Sequence, residues 1–490
     1  MKEVKMETVA IRQGEFGART GSRRDFIKGS TLMVAAATMG GVARASKIST
    51  GGVMSGYAAP RLANVRVGVV GVGDRGSYAV RRLCTVPGVE VTALCDLVEE
   101  RAQKSRLWLK DKGFKEPKIF TGPEGYKRLC ELGLCDVVHN NTDWSGHVPV
   151  SVYAMKSGLH ACVEVPGCRT VEEGWEMVET SEATRRHCIM LENCCYGDDE
   201  MLVMNLARRG KLGVLIHGEG GYIHDGRWIV YGTGPNDIPW RLKEKLHRTG
   251  MAYPTHGLGP IALTMDINRG DRFDYLVSTG SASRGYQEFA RQKYGEGSYL
   301  AKLPLECNDM NVTTIRTVKG RTIMLQQYGA GPHPYSRMNK LVGTGGVVGT
   351  YPLRVAFEKQ LGAEAKDWYS AKELEEFRRE WQHPLWKAAG DIARASGGHG
   401  GMDYLMDLRW VYCLQQGLPV DMDVYDLASW SAIVQLSEES ARNRSKSMDI
   451  PDFTRGAWAT TPPVGDMTID VDKIKLDLDA VRKSGRQQSV

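Results

Sequence analysis

Gly71, Gly73 and Gly76, spaced as GxGxxG, follow the β-branched run Val65, Val67, Val69, Val70 and open a helical pattern. A second apolar run ends at Asp96, 20 residues after Gly76. Residues of these types at this spacing bind a dinucleotide. Gly71 allows a tight turn, Gly73 lets a pyrophosphate approach the backbone, and Gly76 lets helix pack close on strand, with the helix N-terminus facing the phosphates. Asp96 would accept hydrogen bonds from ribose hydroxyls and repel a 2′-phosphate, so the turn points to NAD rather than NADP. The flanking strand, helix and acid separate this motif from an ordinary glycine turn beside a solvated Asp.

Further polar groups stand where chain segments 135–140, 160–164 and 187–192 read as buried strands. The first is followed by Trp144-Ser145-Gly146-His147 ahead of a helix expected over 147–157, the second ends in Glu164-Val165-Pro166, and the third leads to Asn193. Ligands of open α/β sheets bind at the carboxyl ends of strands, so the loop after the first should face the nicotinamide half of a cofactor, while any one of the three strand ends alone fits a cap or a turn as well. Farther on, Tyr253-Pro254-Thr255-His256 places a histidine in the first turn of an apolar helix. Imidazole titrates close to neutral pH, which suits proton transfer, although a helix-capping role fits the same position. His399 beside Asp403 in a glycine-rich turn reads as structural; two ligands without a third make a poor metal site, and no metal is expected.

These groups require a scaffold. Strands and helices alternate from Val65 to Glu192, which implies a parallel, doubly wound sheet. From Tyr196 the texture changes to longer alternating runs over 213–223, 275–278, 312–318 and 321–327. They imply a second, α+β domain with an open, largely antiparallel sheet, whose free face offers a surface for a homo-oligomer. Residues 371–386 are charged and aromatic, and one helix is expected over 426–441. The reading divides the chain into a signal peptide (1–45), a linker (46–63), a Rossmann domain (64–195), a substrate domain (196–460) and an extension (461–490).

At 490 residues the chain exceeds one ordinary core. Its net charge of +6 is concentrated at the start, where residues 1–45 carry eight Lys/Arg against four Asp/Glu, leaving +2 on the remainder. A nucleic-acid partner thereby loses its main support. Ser22-Arg23-Arg24-Asp25-Phe26-Ile27-Lys28, a mildly apolar run over 29–42, and Ala43-Arg44-Ala45 form a twin-arginine signal with cleavage after Ala45. The apolar run is shorter than the roughly 20 residues of a stable membrane anchor. Export machinery of this kind is an expected partner, and the location is periplasmic or otherwise exported. Eleven cysteines without a C-x-x-C read mostly as buried free thiols, with one disulfide left open.

The glycine turn, the Trp144–His147 segment and Glu164-x-Pro166 together resemble the Gfo/Idh/MocA oxidoreductases, whose dehydrogenases carry Lys where this chain has Val165. That departure argues against an ordinary dehydrogenase. The chain from Val65 to Trp458 resembles the family 109 glycoside hydrolases through VEVP (163–166), LENCCY (191–196), GEGGYIHD (218–225), YPTHGLGP (253–260), INRGDRFDYLVS (267–278), PHPYSR (332–337), GHGGMDY (398–404) and PDFTRGAW (451–458).

The resemblance implies an NAD-dependent α-N-acetylgalactosaminidase. It also implies cofactor contacts from Asp74, Arg75, Asp96, Trp144, Ser145, Gly146, His147, Glu164, Val165 and Asn193. On the sugar side it implies Tyr222, Arg241, Tyr253, Pro254, Thr255, His256 and Tyr335, with His256, Tyr253 and Tyr335 as the proton-handling set. No Asp/Glu pair is evident at that sugar site. The implied chemistry is C3 oxidation, elimination across C1 and C2, water addition and re-reduction, with retention of configuration. A periplasmic NAD-dependent sugar dehydrogenase or 3-keto-sugar-forming enzyme is the alternative, and a non-enzymatic sugar-binding protein the third reading. Loop 226–239 looks longer or more divergent than the family's segment, which leaves the sugar or aglycone open.

Overall fold

The computed structural model describes residues 52–231, 239–358, 362 and 364–484. The signal and cleavage patterns, the start of the 46–63 linker, residues 232–238 of the divergent loop and the last residues of the extension lie outside the described residues.

The first sheet contains β1 (Val65–Val70), β2 (Val89–Asp96), β3 (Lys118–Thr121), β4 (Val137–Asn140), β5 (His160–Val163) and β6 (Cys188–Met190). All neighbours are parallel, in the order β3-β2-β1-β4-β5-β6. Helices cover both faces, so the strands are nearly continuous apolar runs: Val65, Val67, Val69 and Val70 of β1 are all buried. The order reverses between β1 and β4, which opens a crevice at their carboxyl ends. The glycine turn and the Trp144 segment flank it.

The second sheet contains β7 (Leu215–Ile223), β8 (Phe273–Gly280), β9 (Met310–Thr317), β10 (Thr322–Tyr328), β11 (Lys340–Gly343), β12 (Gly346–Gly349), β13 (Arg354–Phe357) and β14 (Met448–Asp449). Its order is β13-β12-β11-β7-β10-β9-β8-β14. Every pair is antiparallel except β7 with β10. In β9, buried Asn311, Thr313, Ile315 and Thr317 alternate with more accessible residues, the pattern of a sheet covered on one face. A contiguous core links Val67 of the first sheet to Ile315 and Leu325 of the second through Leu408 and Trp430.

Local chemistry shifts several expected boundaries. Asp143 accepts from the Ser145 N–H and starts a helix at Trp144–Lys156, so Trp144 to His147 form its first turn rather than a preceding loop. Residues 371–386 fold as the helix Ala371–Trp381, opened by a Ser370/Glu373 capping box, followed by a new helix, Pro384–Ser396. The single helix expected over 426–441 is two, Val424–Ser431 and Ile433–Arg442. All eleven cysteines are free thiols, and no disulfide forms. Residues 52–63 pack on the body: Met54 N–H donates to the Tyr425 hydroxyl (3.0 Å), and the Arg185 guanidinium lies 3.9 Å above the Tyr57 ring. In the extension, Met467 and Ile474 are buried.

Candidate functional site

The glycine turn has the shape a dinucleotide needs. Gly71 adopts φ +82°, and a Cβ there would come within 2.7 Å of the Asn141 backbone. At Gly76 it would sit 1.8 Å from the Gly71 carbonyl, so helix Asp74–Leu83 could not reach the strand with any side chain at that point. Above Gly73 the nearest atom is Arg101 Nη1 at 4.0 Å, an open cradle. No side chain caps that helix, which leaves its first N–H groups for an anion. Asp96 accepts from the Val72 N–H (2.7 Å) and the Val98 N–H (2.9 Å), fixing its carboxylate at the carboxyl end of β2. These residues fit NAD. Asp74 and Ser145 are exposed, and the Ser145 hydroxyl is engaged by Asp143 (2.5 Å).

Across the crevice, Arg75 forks between two carboxylates. Its Nε donates to Glu164 (2.6 Å), and Nη1 and Nη2 donate to Asp403 (2.8 and 3.3 Å). Asn193 donates to the same Asp403 (2.5 Å), as does His399 Nδ1 (2.9 Å). Trp144 Nε1 donates to the Val165 carbonyl (3.3 Å), and His147 Nδ1 lies 2.8 Å from the Pro166 carbonyl. Gly146 sits where a Cβ would strike Thr142 Oγ1 at 2.4 Å. Arg75, Trp144, His147, Glu164, Val165 and Asn193 therefore surround one crevice.

The proposed sugar residues form an aromatic wall beside it. Tyr222, from β7, lies 4.8 Å from Tyr253, 5.3 Å from His256 and 6.3 Å from Tyr335 between ring centroids. Tyr253 and Trp144 rings stack at 6.1 Å, joining the wall to the cofactor crevice. The Arg241 guanidinium covers Trp240 at 4.3 Å and Trp144 at 5.8 Å. Pro254 and Thr255 are buried at the start of helix Thr255–Thr264, which carries His256. Burial pushes the Tyr222 phenol up to about 12 and raises those of Tyr253 and Tyr335 well above the ordinary range. All three are protonated donors at neutral pH.

Glu192 is one residue whose role sequence reasoning missed. Fully buried, it accepts from His256 Nδ1 at 2.7 Å and from the Cys194 N–H at 3.1 Å. Burial alone would raise its carboxyl; the facing His256, with Thr255 and Cys194, outweighs that and holds it below the usual range. The carboxylate favours a proton on Nδ1, which leaves Nε2 outside this hydrogen bond. A single carboxylate thus stands beside the aromatic wall, engaged with an imidazole. The signal was its place, immediately before Asn193 at a strand end. Arg337 was also missed: held by Glu200 (2.9 Å), it donates to the Tyr335 hydroxyl (3.2 Å). Among the described residues, one group, Glu192, Cys194 and His256, is close enough for a metal ion. Its carboxylate and imidazole already satisfy each other.

The C-terminal domain model of glycosyl hydrolase 109 matches residues 196–460, and the oxidoreductase family model for an NAD-binding Rossmann fold matches 65–192. The chain belongs to glycosyl hydrolase family 109. A family 109 protein of Solibacter usitatus is 43% identical over 446 residues, covering 90% of this chain and 99% of its own. A Bacteroides fragilis protein named alpha-N-acetylgalactosaminidase is 43% identical over 407 residues, covering 82% and 95%. Among solved structures, a levoglucosan dehydrogenase in complex with NADH and levoglucosan superposes with a TM-score of 0.59 at 18% identity, covering 79% of this chain and 100% of that one. That likeness is one of fold. Family 109 membership makes this chain an NAD-dependent glycosidase with a carbohydrate substrate.

Proposed function

We propose that this family 109 glycosidase releases terminal α-linked N-acetylgalactosamine with retention of configuration, keeping its NAD bound between turnovers. The observation that carries the reading is the His256–Glu192 pair set within the wall of Tyr222, Tyr253 and Tyr335. The similarity to the Bacteroides fragilis alpha-N-acetylgalactosaminidase supports the choice of sugar.

Bound NAD+ supplies hydride exchange at sugar C3. Side chains supply the remainder. His256 Nε2 exchanges protons with the sugar while Glu192 stabilises the imidazolium through Nδ1. The protonated phenols donate to sugar oxygens, with Arg337 fixing the Tyr335 hydroxyl. Arg241, stacked on Trp240, offers donors for an acetamido carbonyl. Glu192 is committed to His256, so among the described residues it does not stand as one of the free flanking carboxylates that direct hydrolysis uses.

One assay tests the reading: p-nitrophenyl α-N-acetylgalactosaminide in D2O without added NAD. Aglycone release with deuterium at C2 is expected. NADH accumulation without bond cleavage would establish the sugar dehydrogenase instead, and loss of neither rate nor exchange in His256→Ala would remove the role of His256. We also propose export of the folded chain by the twin-arginine route, with cleavage after Ala45. N-terminal sequencing of the exported protein should begin at Ser46; an uncleaved cytoplasmic chain would refute this.

A further inference from the structure

Asp403 is a buried carboxylate that gathers donors from distant parts of the chain. It is carried by the second half of the molecule, at the start of helix Met402–Gln416, yet its hydrogen-bond donors include Arg75 from the glycine turn and Asn193 from the end of the sixth strand. Its side chain is 2% exposed, and His399 Nδ1 (2.9 Å) and Arg82 Nη1 (3.6 Å) complete its surroundings. Burial alone would raise its carboxyl; Arg75, His399 and Arg82 outweigh that and hold it well below the usual range, ionised at neutral pH.

The turn preceding it is shaped to this carboxylate. Residues 397–401 all adopt positive φ, including His399 at +48°, and a Cβ on Gly398 would lie 2.8 Å from Asp403 Oδ2. Arg75 belongs to the glycine turn beside the cradle over Gly73, and Asn193 follows the sixth strand; both donate to the one carboxylate.

We propose that Asp403 is a positioning residue for cofactor retention: by holding Arg75 and Asn193 together it ties the glycine turn to the segment after the sixth strand at the dinucleotide site. Slow release of NAD then depends on a side chain outside the Rossmann domain. The inference rests on the retained-cofactor reading above.

The test compares purified wild type, Asp403→Asn, Arg75→Lys and Asp407→Asn. Asp407 lies one turn farther along the same helix, fully buried, and holds Arg82 (2.5 Å) without touching Arg75 or Asn193 in the hydrogen bonds described. Measurements are bound nucleotide per chain, its off-rate after dilution, the Kd for added NAD+, and thermal unfolding. Asp403→Asn is expected to raise the off-rate at least about tenfold, equivalent to about 1.4 kcal/mol. Asp407→Asn should lower Tm while leaving the off-rate within about twofold. An unchanged off-rate in folded Asp403→Asn, or equal increases in both variants, overturns the proposal. If Asp403→Asn does not fold, Arg75→Lys, which keeps the charge and loses the fork, must show the tenfold change, and an unchanged value overturns it. Wild type purifying without nucleotide would refute retention alone. The same variants are then judged by Kd for added NAD+, expected to be at least tenfold weaker in Asp403→Asn; an unchanged Kd overturns the proposal.

Discussion

Glu192 shows how a residue's task depends on what faces it. In the sequence it is a strand-end acid between apolar Leu191 and Asn193; in the fold it meets an imidazole that lies 64 positions away. Glu192→Gln keeps the volume but removes the charge that stabilises the imidazolium and favours the Nδ1–H tautomer. We expect kcat to fall about a hundredfold or more, with sugar KM changing by less than about threefold, measured by steady-state kinetics on the same glycoside. A parallel loss in KM alone would instead assign Glu192 to binding. The individual site residues were legible where a motif or strand end announces them, as at Gly71, Asp96 and Asn193. Glu192, Arg337 and Asp403 were not, because their roles arise from partners brought close only by the tertiary fold.

At the scale of elements, the decisive contact joins helix Thr255–Thr264 to β7 backbone against backbone. A Cβ on Gly257 would lie 2.3 Å from the Gly221 nitrogen, and one on Gly220 would lie 2.2 Å from the Gly257 carbonyl. This approach sets His256 against Tyr222. Gly257→Ala must push helix from strand, and we expect a loss of about 1–3 kcal/mol in denaturant unfolding together with a fall in kcat. Retained activity in a destabilised protein would show that the wall tolerates the shift. Periodicity made most strands readable, since burial on one face or two leaves different patterns. The start of the helix expected over 147–157 was misplaced by one turn because that turn contains a tryptophan, a serine and a glycine, and only the Asp143 cap reveals that it begins at Trp144.

At the scale of the whole molecule, three buried histidines tie stability to pH. Burial lowers His160 and His383 to about 4 and His187 to about 3. An unfolded histidine takes its proton near 6.5. Between those values the unfolded chain binds more protons, so stability falls as pH drops from about 6.5 toward 4. Thermal unfolding across this range should show the decline, and His187→Gln, which removes an unpartnered buried Nε2, should flatten it. The two-sheet architecture was legible from alternation and texture; the attachment of residues 52–63 to the body was not, because their small residues resemble a linker until Met54 and Tyr57 find their partners. The free cysteines add a practical consequence. Ten are buried, and the half-buried Cys84 has its thiol pushed up to about 12 by burial. A thiol reagent added to the native protein at neutral pH therefore meets almost no thiolate, and each equivalent that reacts later records a local or global opening. The chain carries its own clock for unfolding, readable by absorbance with a chromogenic thiol reagent and without any engineered cysteine.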